Sequence, residues 1–186
     1  RGGRAECQVA IRINQDSDGD GLPDLREIDG YIDDNGTRTL LPGADPLHKD
    51  IYVKIDYMGG EHSHEPDSAA LDSVFDAFQR VPNAMLKIPN PDGQDGITLH
   101  CIIGDAITHE DEFGSSQGQV FSWKLVTDRK RVSLGGAASL SYHYCLFIHN
   151  GPRKNCPDEP RALCRDDANG TCPAGGLSGF GDLVVS

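Results

Sequence analysis

The sequence predicts a single α/β domain of 186 residues, built as a mixed twisted sheet with helices packed on it. Residues 49–58 read KDIYVKIDYM, and their alternation of apolar and polar side chains is typical of a strand with one buried face, formed by Ile51, Val53 and Ile55. Residues 66–81 predict a helix capped by Asp67 or Ser68, because their apolar side chains recur at helical spacing. The apolar run YHYCLFIHN at 142–150 has the length of a central strand.

Local signals predict the remaining elements. A hairpin is expected over residues 31–41, where Asn35-Gly36 lies between two short strand-like runs. The stretches ITLHCII at 97–103 and FGDLVVS at 180–186 indicate two further strands, and a second helix is expected to begin within 121–126. Strands that alternate with helices favour the α/β class, and no internal repeat or linker divides the chain.

The stretch DSDGDGLPDLRE, from Asp16 to Glu27, has the spacing of a calcium loop. Counting Asp16 as position 1, carboxylates stand at positions 1, 3, 5, 9 and 12, and Gly21 stands at position 6. Calcium takes six to eight oxygen ligands at about 2.3–2.6 Å, so the chain must wrap around the ion and turn sharply at the glycine. The predicted ligands are Asp16, Asp18, Asp20, the Leu22 carbonyl, Asp24 directly or through water, and Glu27 with both oxygens. A solvated acidic loop is the alternative, and the match at every constrained position argues against it.

The flanks of this loop differ from those of a paired-helix calcium sensor. The residues before it alternate as a strand does, and the helical pattern after it spans only two turns before Gly30. The loop is therefore similar to those of thrombospondin type 3 and dockerin repeats. Such loops act as structural clamps, because a sensor needs two helices that can swing apart.

Composition narrows the class of protein. The net charge of −12 argues against a nucleic-acid partner, and no apolar run approaches the roughly 20 residues of a membrane span. Six cysteines and the N-glycosylation patterns that begin at Asn35 and Asn169 favour a secreted glycoprotein. The chain begins at Arg1 without a methionine or a signal peptide, so a mature or trimmed form is expected.

The cysteines predict disulfides whose connectivity stays open. Three cysteines cluster near the C-terminus: Cys156, Cys164 and Cys172. Because three cannot all pair with one another, at least one of them pairs outside the cluster or stays free. Cys145 is one candidate partner for that cluster, and Cys7 with Cys101 is the other predicted pair. Within the single predicted domain, four segments follow one another: a calcium-loop segment with its hairpin (1–45), an α/β core (46–150), a cysteine-rich loop (151–176) and a final strand (177–186).

Residues with catalytic potential are few. His62 and His64 could present two imidazoles to a zinc ion, and the alternative is a polar loop that leads into the helix. His109-Glu110 begins like the metalloprotease motif His-Glu-x-x-His, but Phe113 occupies the place of the second histidine. No nucleophile is paired with a base by local spacing, so no catalytic residue is predicted.

Several stretches resemble a family of secreted and lipoprotein zinc metalloproteases of the zincin type. They are DSDGDGLPDLREIDGY, GADPLHKDIYVKIDYM, HSHEPDSAALDSVFDAF, NPDGQDGITLH, YCLFIHN and GLSGFGDLVVS, and they cover most of the chain in the family's order. The opening loop, as far as Tyr31, also resembles the calcium loops of bacterial binary-toxin components. In the protease family, the strand that corresponds to DLVVS is followed by the helix with His-Glu-x-x-His and a third histidine. This sequence stops at Ser186, before that helix.

The resemblance implies a fold like the N-terminal subdomain of a zincin, with calcium as cofactor and zinc only in a longer form. The expected function is that of a secreted calcium-binding protein related to zinc metalloproteases, either the non-catalytic N-terminal part of a catalytic domain or a processed or degenerate form. Its expected partners are a peptide substrate or a C-terminal catalytic segment. A calcium-stabilised extracellular module that binds a glycan or a protein is the alternative, and enzymatic activity stays open.

Overall fold

The computed structural model of the protein describes residues 15–32, 36–110, 113, 123–135 and 137–149, and the backbone of two strands at 177–179 and 182–185. Over these residues the chain combines a five-stranded sheet with helices and a small two-stranded sheet, which confirms the α/β class. The elements are α1 (Asp24–Asp29), β1 (Tyr31–Ile32), β2 (Arg38–Thr39), β3 (Asp50–Gly59), α2 (Ser68–Gln79), β4 (Thr98–Thr108), α3 (Trp123–Leu134), β5 (Tyr142–Phe147), β6 (Leu177–Gly179) and β7 (Asp182–Val185). Short 3₁₀ turns lie at Asn83–Met85 and Ala137–Leu140.

The large sheet has the strand order β4-β3-β5-β7-β6. Strands β4, β3, β5 and β7 are parallel, and β6 pairs antiparallel with β7 at the edge. The sheet is therefore mixed, as predicted, and β5 is central, as predicted for the apolar run at 142–150. Because the strands are parallel, the chain leaves β3, β4 and β5 at the same edge of the sheet. That edge carries one of the two sites described below.

The buried face of β3 differs from the prediction. Tyr52 and Asp56 are each only 1% exposed, whereas Ile51 and Val53 are half-buried, and of the predicted face only Ile55 is buried. The predicted face was wrong because both core groups pack on the opposite face of β3, through Tyr52 and Met58. The register also shifts between Ile55 and Tyr57. The Tyr144 hydroxyl stabilises the buried carboxylate of Asp56, because it donates a hydrogen bond to it at 2.7 Å.

The helices agree with the prediction more closely. Helix α2 begins after Asp67, whose side chain accepts a hydrogen bond from the Ala70 backbone at 3.1 Å and so acts as the predicted cap. Helix α3 confirms the second helix, which continues to Leu134. The predicted hairpin is present as the antiparallel pair β1–β2. The single final strand predicted over 177–186 is two strands, β6 and β7, which pair antiparallel with each other.

Two groups of buried side chains form the core of the described part of the chain. One consists of Met58, Val126, Tyr144, Leu146 and Ile148, between the sheet and α3. The other consists of Leu22, Leu41, Tyr52, Ala138 and Tyr142. The second group matters for function, because Leu22 belongs to the acidic loop and anchors it beside the first residues of β3.

The disulfide prediction needs correction at two cysteines. In the part of the chain that the structure describes, Cys101 and Cys145 are both free thiols, so the pairing of Cys101 with Cys7 and that of Cys145 with the 151–176 cluster are wrong. Both thiols lie in strands of the sheet, where burial raises their pKa and disfavours the thiolate that disulfide exchange requires. The other predicted cysteines and both predicted glycosylation sites lie outside the described residues: Cys7, Cys156, Cys164, Cys172, Asn35 and Asn169. Among the helices of the described ranges, none combines the length and apolar character of a membrane span.

Candidate metal centres

The acidic loop folds back on itself through its aspartates. Both carboxylate oxygens of Asp16 accept backbone hydrogen bonds, from Gly19 at 2.7 Å and from Gly21 at 3.1 Å. Asp18 and Asp20 accept from the backbone two residues further on, at 3.0 and 2.7 Å. Gly21 has φ +98°, a conformation that a side chain penalises, which confirms the predicted turn at position 6. These turns bring carboxylate oxygens of Asp16, Asp18 and Asp20 within 4.8 Å of one another.

A second group of carboxylates shares Asp20. Oxygens of Asp20, Glu27 and Asp50 lie within 4.8 Å of one another. Asp50, the first residue of β3, was not predicted, although its backbone N–H donates to the Asp20 carboxylate at 2.8 Å. Spacing rules could not have found it, since it lies 30 residues from Asp20 along the chain. The predicted loop and the start of the sheet therefore form one acidic centre of five carboxylates.

Two other predicted ligands, Asp24 and Leu22, are not members of these two groups of carboxylates. The Asp24 carboxylate accepts from the backbone N–H and the hydroxyl of Ser17, both at 2.8 Å, and so braces the two ends of the loop. The Leu22 side chain is buried in the core, and its backbone N–H donates to Asp20 at 2.7 Å. The contribution of the Leu22 backbone carbonyl to an ion stays a prediction.

The acidic centre holds negative charge away from water. Asp18 is fully buried and Glu27 is 6% exposed, and within the described residues neither Asp18 Oδ2 nor either Glu27 oxygen has a hydrogen-bond partner. Burial raises the pKa of Glu27 to about 8, with further increases from the charges of Asp20 and Asp18. Burial, followed by the charge of Asp20, raises the pKa of Asp18 to about 6. Burial of a carboxylate without a partner costs folding free energy, and a bound cation would offset that cost.

Neighbouring side chains orient the centre from the sheet side. His100 Nε2 lies 2.6 Å from Asp50 Oδ1, and the His100 ring stacks on Tyr52 with centroids 4.3 Å apart. The backbone N–H of Asp45 donates to the other Asp50 oxygen at 2.7 Å. Lys49 Nζ donates to the Asp18 carbonyl oxygen. A cavity of about 260 Å³ borders Asp20 and Asp50.

A second centre is made of imidazoles. The ring nitrogens of His62, His64, His109 and His149 lie within 4.8 Å of one another. His62 Nε2 is 3.0 Å from His149 Nδ1 and 3.2 Å from His109 Nε2, and His149 Nδ1 is 3.3 Å from His64 Nε2. Every pair of these rings has its centroids within 5.5 Å. Burial, and then the charges of His62, His149 and His109, lower the pKa of His64.

Three strand ends position the four histidines. His62 and His64 follow β3, His109 follows β4, and His149 lies just beyond β5. The sequence singled out His62 and His64 as a pair and His109 only as a failed protease motif, and it missed His149. The signal that could have found the group is topological, because the three strands were each recognisable and parallel strands end at one edge.

Comparison of this chain with family models, curated proteins and solved structures finds no match.

Proposed function

We propose that this protein is a calcium-binding protein in which the acidic loop and the start of the sheet close around one ion. The observation that carries the proposal is the burial of Glu27 and Asp18 with carboxylate oxygens that have no hydrogen-bond partner among the described residues. These oxygens lie where the calcium spacing of the sequence predicts ligands. A cation bound to these oxygens would offset the free-energy cost of their burial, because each oxygen would coordinate the ion.

The charge balance supports a divalent cation. Five carboxylates converge, from Asp16, Asp18, Asp20, Glu27 and Asp50, and the ammonium of Lys49 offsets one of these charges. The donors are all oxygens, which favours a hard cation over zinc or copper. Calcium suits the set better than magnesium, because it accepts more ligands in irregular geometry, whereas magnesium retains several waters in a strict octahedron.

The surroundings of the loop support a structural clamp. Helix α1 has only six residues, and Leu22 is packed in the core. The loop is also bonded to β3 through Asp20 and the Asp50 backbone. Such a loop has no second helix to move, so the ion is expected to stabilise the domain without switching it.

Calorimetry tests the proposal. The chelator-treated chain, titrated with calcium, is expected to bind one ion in the acidic centre, and its melting temperature should rise. Mass action gives about 2.7 kcal/mol of added stability at a hundredfold excess of calcium over the Kd. Magnesium at the same concentration is the control and should stabilise less. A melting temperature that is the same with calcium and with chelator would refute the proposal.

We also propose that the chain is secreted and is related in origin to zincin-type metalloproteases. The family-like stretches quoted above support this relation, as does the mixed sheet that the resemblance implies. The 186 residues contain no His-Glu-x-x-His, so the chain is expected to hydrolyse no peptide by that mechanism. Incubation of the zinc- and calcium-loaded chain with a mixed peptide library, read by mass spectrometry, tests this. Cleavage that a chelator abolishes would contradict it.

A further inference from the structure

We propose that His62, His64, His109 and His149 form a second metal centre, a four-histidine site for zinc at the carboxyl edge of the parallel sheet. It is separate from the calcium centre in both place and chemistry. Asp50 begins β3 and His62 follows its end, so the two centres lie roughly 30 Å apart at about 3.3 Å per strand residue. It also requires no His-Glu-x-x-His motif.

The distances between the ring nitrogens fit a metal. Four nitrogens at the Zn–N distance of about 2.0–2.1 Å stand about 3.3–3.4 Å apart at the corners of a tetrahedron. The three closest contacts in the cluster measure 3.0, 3.2 and 3.3 Å, and they link all four rings. Three of the six nitrogen–nitrogen distances are therefore close to those of a zinc tetrahedron, and all six are within 4.8 Å.

Hydrogen bonding alone satisfies the cluster poorly. An imidazole nitrogen carries either one proton or one lone pair. His62 Nε2 nevertheless has two ring nitrogens within 3.2 Å, and so does His149 Nδ1 within 3.3 Å. Each of these atoms can make one well-directed bond, so the other close contact is left without one. A cation that accepts all four lone pairs satisfies the nitrogens together.

The backbone holds the histidines in place from one point. Met58 and Gly59, at the end of β3, accept backbone hydrogen bonds from His64 at 2.8 Å and His109 at 3.2 Å. The His149 N–H contacts the Met58 sulfur at 3.4 Å. Gly60 allows the close approach, since a Cβ there would meet the His109 Cβ at 3.3 Å. Three segments of the chain are thus fixed against the same two residues before any metal binds.

The donor set selects the class of metal. Imidazole nitrogens suit zinc, copper, iron and nickel, whereas calcium and magnesium require oxygen. Zinc binds four protein ligands in its structural sites, so four imidazoles suit it best among these. Four protein ligands leave no open position for water, so the site is of the structural, closed kind. The ion would cross-link the ends of β3, β4 and β5.

Titration of zinc into the calcium-saturated full chain tests the proposal. Isothermal calorimetry is expected to give one zinc per chain and a raised melting temperature. His149→Ala and His62→Ala should each weaken zinc affinity by more than the roughly 10- to 100-fold that loss of an outer-shell partner costs. His143→Ala is the matched control, because His143 is exposed on β5 and outside the cluster, and it should bind as the natural chain does. A far-UV circular dichroism spectrum that matches that of the natural chain shows that each variant is folded.

X-ray absorption on the zinc-loaded natural chain gives a second test that does not depend on variants. Four nitrogen neighbours at about 2.0–2.1 Å with imidazole scattering are expected. Sulfur in the first shell would overturn the proposal, because it would place the metal on cysteines. Zinc affinity that is unchanged in His149→Ala, or an absence of zinc binding to the natural chain, would overturn it as well. Because the two centres share no residue, failure here leaves the calcium proposal standing.

Discussion

The backbone N–H of Asp50 donates a hydrogen bond to the carboxylate of Asp20 at 2.8 Å. This bond joins the acidic loop to the first residue of β3 and places the Asp50 side chain against Glu27 and Asp20. The loop is therefore attached to the sheet, and substitution of Asp20 or Asp50 should change the affinity for calcium.

Replacement of Asp50 by asparagine should weaken calcium binding by roughly tenfold or more, because a neutral amide replaces one of five converging carboxylates. The amide oxygen can still accept from the Asp45 backbone, so the fold is expected to persist. Calorimetric titration measures the effect, with Asp105→Asn as control because Asp105 is exposed on β4. Equal affinities for the two variants would remove Asp50 from the ion's ligands.

Replacement of Glu27 by glutamine should change stability in opposite directions with and without calcium. In the metal-free chain it removes a buried carboxylate without a hydrogen-bond partner among the described residues, so the melting temperature should rise. At saturating calcium it removes the predicted bidentate ligand, so the variant should melt below the natural chain. Scanning calorimetry in chelator and in calcium measures both. A shift of the same sign in the two conditions would contradict this role for Glu27.

The metal-free chain should lose stability as the pH rises. The pKa of Glu27 is about 8 in the folded chain against an ordinary value of 4.5, because of burial and the charges of Asp20, Asp18, Asp50 and Asp24. Between these two pH values the folded state binds a proton that the unfolded state lacks. The free energy of unfolding therefore falls as the pH rises. The stabilisation is complete below about pH 4.5 and lost above about pH 8.

Denaturant melts of the chelated chain across this pH range measure the slope. Calcium-saturated protein is the control, and its slope should have the opposite sign, because protons then compete with the ion for the carboxylates. The same slope with and without calcium would contradict the prediction.

Replacement of Tyr144 by phenylalanine should cost about 1–3 kcal/mol of stability. The Tyr144 hydroxyl donates to Asp56, which is 1% exposed, and its loss leaves a buried charge with one donor fewer. Arg129 and Lys54 remain near Asp56, at 3.5 and 3.9 Å, which keeps the loss within this range. Tyr57→Phe is a suitable control, since Tyr57 is half-buried on β3. Equal urea midpoints for the two variants would argue against a structural role for the bond.

Cys145 should resist alkylation in the folded chain and react after unfolding. Burial, and then the neighbouring Cys101, raise the pKa of its thiol to about 12, so the reactive thiolate is scarce near neutral pH. Iodoacetamide labelling at pH 8 with and without denaturant, followed by peptide mapping, measures the difference. A Cys145 that stays unlabelled in denaturant until a reductant is added would indicate a disulfide and contradict the free thiol.

The sequence by itself determined the features that depend on local spacing. The turn at Gly21, the cap at Asp67 and the strand at 49–58 each follow from residues within a few positions of one another. Local sterics and short-range hydrogen bonds govern such features, and they act in the same way wherever the segment lies in the fold. The predicted calcium ligands belong to this class as a pattern along the chain.

Only the tertiary structure decided which distant residues share a centre. Asp50 joins the acidic loop through its backbone bond to Asp20, 30 residues away. His149 joins His62, 87 residues away, because β3 and β5 are parallel and end at the same edge. Core packing on β3 buries Tyr52 and Asp56 against the alternation of the sequence, and Cys145 of β5 is a buried free thiol. Strand partners are chosen by the burial and hydrogen bonding of the whole sheet, a sum over remote contacts that no short window of sequence contains.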